Sequence, residues 1–223
     1  PQQARSRDTL HRLLDAAETL LADRTFEDLG IHDVVKKARS SVGSFYARFP
    51  DKNALLDALY ERHQREAMNT VQSVLSPERW AGCRLAEMVE AIVQFTARLY
   101  RKNRGLLRAL VIRGHLRPDW RYQDPAERSK TAVAKVGSLI ASRKCEVGHP
   151  DPRMAGSLGF LMVMATLREK ILFGDSTSSA VRIGDERLIA ELTAAYLAYL
   201  GVPSPADSNR RRPKSGRKPG GKS

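Results

Sequence analysis

Apolar residues recur along this chain at three- and four-residue spacings, and strict strand-like alternation is nowhere sustained, so the pattern predicts an all-α protein. Leu10, Leu13, Leu14, Ala17, Leu20 and Leu21 form the buried stripe of a first helix, with Asp8, Arg12, Asp15 and Glu18 among the solvent positions. Phe26 follows, placed to plug the gap between that helix and the next elements. Ile31, Val34, Val35 and Ala38 mark one short helix, and Phe45 and Phe49 mark the core face of another. Ser41 is positioned to cap the second by accepting from an unpaired backbone N–H. Pro50 stops it, and Asp51 is the expected N-cap of a long helix carrying Ala54, Leu55, Leu59, His63, Ala67, Val71 and Val74.

Three helices closing a small core, the third short and polar on its outer face, is an arrangement that reads DNA. Basic and small hydroxylated residues stand where a duplex would be met. Gly43 lies inside the short second helix of the pair, where glycine costs roughly 1 kcal/mol relative to alanine. Two reasons for it stay open: close approach to a groove wall, or tight packing between the two short helices.

Further helices are expected over 79–102, 104–116, 124–144, 152–173 and 185–200, for about nine in total. Leu85, Met88, Val89, Ile92, Phe95, Thr96 and Leu99 supply the buried face of the first of these. The segment 152–173 is apolar nearly all round. Met154, Leu158, Leu161, Met162 and Ala165 line one side, and Phe160, Val163, Met164, Leu167 and Ile171 another. Such a helix must be covered twice, by its own core and by a second copy of the chain. The last helix is similar, with Leu188, Leu192, Ala195 and Tyr199 opposite Ile189, Tyr196 and Leu200. Gly156 and Gly159 would permit close helix approach.

The net charge of +13 divides unevenly. From Pro203 onward, Arg210, Arg211, Arg212, Lys214, Arg217, Lys218 and Lys222 face only Asp207, so this tail holds +6. Rich in Pro, Gly and Ser and nearly devoid of apolar residues, residues 203–223 are expected to be disordered. They are either a non-specific DNA-holding arm or a solubilising tail. Arg98, Arg101, Lys102, Arg104, Arg108, Arg113 and Arg117 form a second basic cluster, suited to an anion or DNA backbone or simply to solvent. No apolar run reaches the ~18 residues that suggest a membrane span. Cys83 and Cys145 have no metal-ligand spacing and read as reduced thiols in a cytoplasmic protein. A phosphate-binding glycine loop, a zinc-binding histidine pair and a nucleophile motif are all missing, so neither an enzyme nor a cofactor is expected. A DNA-compacting protein without sequence preference is the stronger competitor to a sequence reader.

The run from Ala38 to Lys52, A-R-S-S-V-G-S-F-Y-A-R-F-P-D-K, resembles the DNA-binding signature of TetR-family transcriptional regulators, A-G-V-S-x-G-x-x-Y-x-x-F-x-x-K. Ala38, Ser41, Gly43, Tyr46, Phe49 and Lys52 match, with Phe26 as the upstream aromatic. The pattern's turn glycine and the valine after it are Arg39 and Ser40 here, and the threonine that often begins the second helix is Gly30. Arginine at the turn must tolerate a strained backbone, and Arg39 joins Lys36 and Lys37 on one rim for phosphate contact.

The resemblance implies an N-terminal helix-turn-helix domain (1–52), a helical effector-binding and dimerisation domain (53–202) and the basic tail (203–223). It places Ser41, Val42, Gly43, Ser44 and Arg48 on or beside the recognition helix, with Tyr46 and Lys52 at phosphates. Val42, Ser44 and Arg48 are then the base readers, aided by DNA shape. It further implies a homodimer on a quasi-palindromic site, joined through a four-helix bundle from the last two helices of each subunit. Phe160, Val163, Met164, Leu167, Ile171, Leu192 and Tyr196 are the expected contacts. Repression of transcription and release by a small-molecule effector complete the expectation. Met88, Ile92, Phe95, Leu99, Leu110, Val136 and Ile140 are able to line a cavity, though such residues more often fill a core.

Overall fold

Two hydrophobic clusters organise the chain. The computed structural model describes residues 2–116, 124–174 and 182–202; the tail 203–223, Arg117 and the stretch after Gly174 lie outside them. Among the described residues there are nine α-helices, two 3-10 segments and no strand: α1 (Gln2–Leu21), α2 (Ile31–Lys37), α3 (Val42–Tyr46), α4 (Lys52–Val74), α5 (Leu85–Lys102), α6 (Arg104–Leu116), α7 (Asp124–Ala141), α8 (Pro152–Phe173) and α9 (Asp185–Tyr199). No helix among the described residues is long and apolar enough to cross a membrane.

The first cluster joins Leu13, Leu14, Ala17 and Leu21 of α1 to Val34 and Val35, Phe45 and Phe49, and Leu55, Leu56 and Leu59 of α4. Phe26 is buried there as well. Local chemistry starts these helices where the sequence places them: Ser41 Oγ accepts from the Ser44 N–H at 3.1 Å, and Asp51 from the Ala54 N–H at 2.8 Å. Leu106, Ala109 and Leu110 of α6 complete the same cluster, so packing continues beyond residue 52. Gly105 makes that contact possible, since a Cβ there would collide with the Leu21 carbonyl at the end of α1.

The second cluster gathers Met88, Val89, Ile92 and Val93 of α5 with Val136 and Ile140 of α7, Phe160, Val163 and Leu167 of α8, and Leu188 and Tyr196 of α9. Its elements depart from the sequence reading at two boundaries. The helix expected from 79 begins instead at Leu85, because Gly82 takes a φ of +81° and the chain first makes a 3-10 segment, Pro77–Trp80. The Trp80 indole N–H then bonds the Val74 carbonyl at 2.8 Å. Likewise α7 stops at Ala141, and Lys144–Glu146 is a separate 3-10 segment. Glu146 accepts from the Leu85 N–H at 3.0 Å, a bond that, with Arg143, holds its carboxyl below the usual range.

The largest correction concerns α8. Phe160, Val163, Leu167, Ile171 and Tyr196, expected at a subunit interface, are buried in the chain's own core, with Met164 and Leu192 half-buried at its edge. The glycines explain why. A Cβ on Gly156 would fall 2.7 Å from Ile140 Cβ and 3.1 Å from Gly137 Cα, and one on Gly159 would enter the Tyr196 ring. Close approach therefore serves α7 and α9 of the same chain, not a second one. The opposite face stays open, with Met154 56%, Leu161 46%, Met162 46% and Leu158 39% exposed.

Candidate nucleic-acid interface

The α2–α3 turn is built around one left-handed residue. Arg39 has φ +48°, the single positive-φ non-glycine among the described residues. Its N–H bonds the Lys36 carbonyl at 3.2 Å, and the Ser40 N–H bonds the Val35 carbonyl at 2.9 Å, which closes α2 in a Schellman motif. From α1, Arg12 donates to the carbonyls of Ala38 (3.1 Å) and Arg39 (3.2 Å). A second cation thus satisfies the end of α2 and its dipole. The strain anticipated for arginine at a glycine position is present and is braced from behind.

This turn delivers α3 with its apolar side inward and its small side outward. Phe45 is fully buried and packs against Phe49, with ring centroids 5.3 Å apart. Tyr46 meets Phe45 edge-on and is 53% exposed, so it does not support the core. Ser41, Gly43 and Ala47 are exposed beside it, while Val42 lies half-buried against the cluster. A Cβ on Gly43 would find only Ser41 Oγ, at 3.9 Å. Packing between the two short helices therefore does not require glycine there.

Lys36, Lys37 and Arg39 stand exposed on the rim of this face. The remaining predicted residues are turned partly inward. The Ser41 hydroxyl donates to Ser44 Oγ at 2.9 Å, and Arg48 Nη1 donates to the Ser44 carbonyl at 2.8 Å. Lys52 Nζ donates to the carbonyls of Phe26 (2.9 Å) and Glu27 (3.0 Å) and sits 4.7 Å above the Phe26 ring. Two of its three ammonium protons are thereby committed to holding that loop. Ala47 and His32 were not singled out from sequence. His32 is exposed one helical turn before Lys36, and that i, i+4 spacing was the available signal.

The outer surface of this unit is thus a shallow strip of Ser41, Gly43, Tyr46 and Ala47 flanked by three cations. Residues 13–59 match the family model described as "Bacterial regulatory proteins, tetR family". The HTH-type transcriptional regulator YvdT of Bacillus subtilis (strain 168), itself uncharacterized, is 31% identical over 64 residues, covering 29% of this chain and 33% of that protein. The chain thus aligns with about a third of that relative's length. Among solved structures, a Mesorhizobium loti MAFF303099 protein assigned to the TetR family superposes with a TM-score of 0.67 at 15% identity, covering 88% of this chain and 97% of that one. Salmonella enterica GusR gives 0.57 at 19%, covering 86% and 95%. A TetR-family regulator from Pectobacterium atrosepticum gives 0.57 at 18%, covering 88% and 94%. At such identities these likenesses show the fold.

Proposed function

The chain belongs, through its N-terminal unit, to the tetR family of bacterial regulatory proteins, and from that premise we propose a sequence-specific repressor that binds a quasi-palindromic operator as a homodimer and leaves it when a small effector binds. The observation that carries the DNA contact is Gly43, exposed in a short helix with open space before it. Nothing in the chain itself needs glycine at that position, whereas a groove wall meeting the helix does.

On this reading Lys36, Lys37 and Arg39 neutralise phosphates and Tyr46 donates a neutral hydrogen bond to one. Lys52 keeps one proton for the same purpose while anchoring the loop at Phe26. Base discrimination falls to Val42, Ser44 and Arg48, half-buried beside the exposed strip, with Arg48 released from the Ser44 carbonyl to reach a base. Ser41 and Gly43 set the depth of approach. So small a reading surface leaves part of the specificity to DNA shape.

The open apolar face of α8 supports the homodimer, now with Met154, Leu158, Leu161 and Met162 rather than the residues on its buried side. Ala190, Ala194 and Ala198 are exposed as well, on α9. An isologous pairing there would set two α3 helices at successive major grooves, ~34–36 Å apart. Met88, Ile92, Val136 and Ile140 fill the core of the second cluster, which favours the packing role for them over cavity lining. Acting on the bacterial chromosome, such a regulator works in the cytoplasm and needs no catalytic chemistry.

Competition binding tests this directly: DNA from upstream of the protein's own coding region against random duplex at moderate salt. A regulator binds its site roughly 10³-fold or more tighter, whereas equal affinities indicate an architectural protein. Tyr46→Phe is expected to weaken binding to every sequence alike, and Val42→Ala or Ser44→Ala to change preference among sequences. Equal effects of all three on every duplex would overturn the division of roles.

A further inference from the structure

The first hydrophobic cluster and α6 enclose a cleft of about 210 Å³ where the end of α1 and the loop to Glu27 face Arg104, Arg108 and Ile112. This is below the ~300–1,000 Å³ usual for drug-sized ligands, so only a compact molecule fits. Arg108, one of the residues lining the cleft, carries an unmet demand. Its Nε is buried without a hydrogen-bond partner, and its guanidinium lies 5.9 Å from the Phe173 ring. A buried N–H left unpaired is costly and calls for an explanation. Arg24, also at the cleft, is engaged with Asp33 at 2.8 Å. Asp23 and Glu27 lie at the exposed rim, where water screens them. Of the cations lining the cleft, Arg108 is the one with a buried N–H that lacks an acceptor, which an anion would supply.

We propose that this cleft binds a small organic carboxylate, with the Arg108 guanidinium as the group that holds its anion and Phe26 and Ile112 as apolar walls for its carbon skeleton. The position gives binding a consequence. Gly105 seats α6 directly on the Leu21 carbonyl, and the loop on the other wall is tied by its Phe26 and Glu27 carbonyls to Lys52, at the start of α4. A guest touching both walls sets the mounting of α1 and α3 on the remainder of the chain, and it shifts DNA affinity as far as it prefers one mounting. The effector role rests on the regulator reading; the binding itself does not.

Benzoate and its neutral isostere benzamide are the probes, and the readouts are calorimetry and the thermal midpoint of the full-length protein. Benzoate is expected to bind and raise the midpoint of the wild type and of Arg98→Met, an exposed control on α5, while benzamide does neither. Arg108→Met is expected to weaken benzoate by roughly tenfold to a hundredfold, the range for losing a charged hydrogen-bond partner, and Arg108→Lys to lie between. Without ligand, Arg108→Met is expected to unfold no lower than the wild type, because the unpaired N–H goes with it. Silence of the wild type toward benzoate at millimolar concentration, or an equal response in Arg108→Met, overturns the site. A lower ligand-free midpoint for Arg108→Met also overturns it, since the arginine is then structural. Benzoate binding through Arg108 without change in DNA affinity removes the effector role alone.

Discussion

The Tyr196 hydroxyl donates to the Gly156 carbonyl oxygen at 2.5 Å, carrying a buried ring from α9 across Gly159 onto α8. That bond gives the buried Tyr196 hydroxyl its partner, a carbonyl within helix α8. Tyr196→Phe is expected to cost about 0.5–1.5 kcal/mol, the net value of the hydrogen bond it removes, measured by urea unfolding. Burial also pushes the Tyr196 hydroxyl pKa upward, and that of Tyr100 likewise. Their contribution is complete below the unfolded tyrosine value of about 10. It is lost as pH rises from there through the raised native values, because the unfolded chain releases protons that the native one retains. Stability of the wild type is therefore expected to fall above pH ~10, and less steeply in Tyr196→Phe. A slope unchanged by the substitution would contradict the assignment.

With that side of α8 spent internally, the proposed association rests on the other. Leu161→Glu combined with Met162→Glu is expected to leave the fold intact by circular dichroism. The solution mass should fall from two chains to one at micromolar concentration. Dimers persisting in the double variant would place the interface elsewhere.

What could be read from the sequence divides along physical lines. Ser41 and Asp51 were legible as caps because a cap depends on the three residues after it, and the strain at Arg39 because the resembled pattern has glycine at that position. The faces of α8 were not, since a helix apolar all round carries no periodic signal to orient it. Gly137 and Tyr196, distant in sequence, decide which side turns inward. The same holds for Arg48 and Lys52. Charge suggested outward-facing contacts, yet the carbonyls of Ser44, Phe26 and Glu27 hold their cationic groups close to the chain. The start of α5 was misplaced because apolar spacing continues across a turn that Gly82 makes possible.

Arg39→Gly removes the cost of a left-handed arginine and is expected to raise stability by about 1 kcal/mol. It also removes one rim cation, so the slope of log affinity against log salt is expected to shrink by about one. Paired chemical-denaturation and DNA-titration series check both. A stability loss would mean that the arginine side chain supports the turn.

Gly43→Ala separates folding from recognition. Nothing lies nearer than 3.9 Å to the added methyl, and alanine gains up to about 1 kcal/mol of helix propensity, so thermal stability is expected to hold or rise. Overpacking against a groove wall is expected to cost about 1–3 kcal/mol, about fivefold to 150-fold in DNA affinity. Unchanged DNA affinity would show that the helix does not approach the duplex at this point.

Enrichment of bound duplexes from a random-sequence pool tests paired presentation of α3 to DNA most directly. The account predicts a two-fold symmetric motif whose half-sites lie about one helical turn apart, lost from the pool when Gly43→Ala replaces the wild type. A pool that stays random, or a motif without two-fold symmetry, would contradict it.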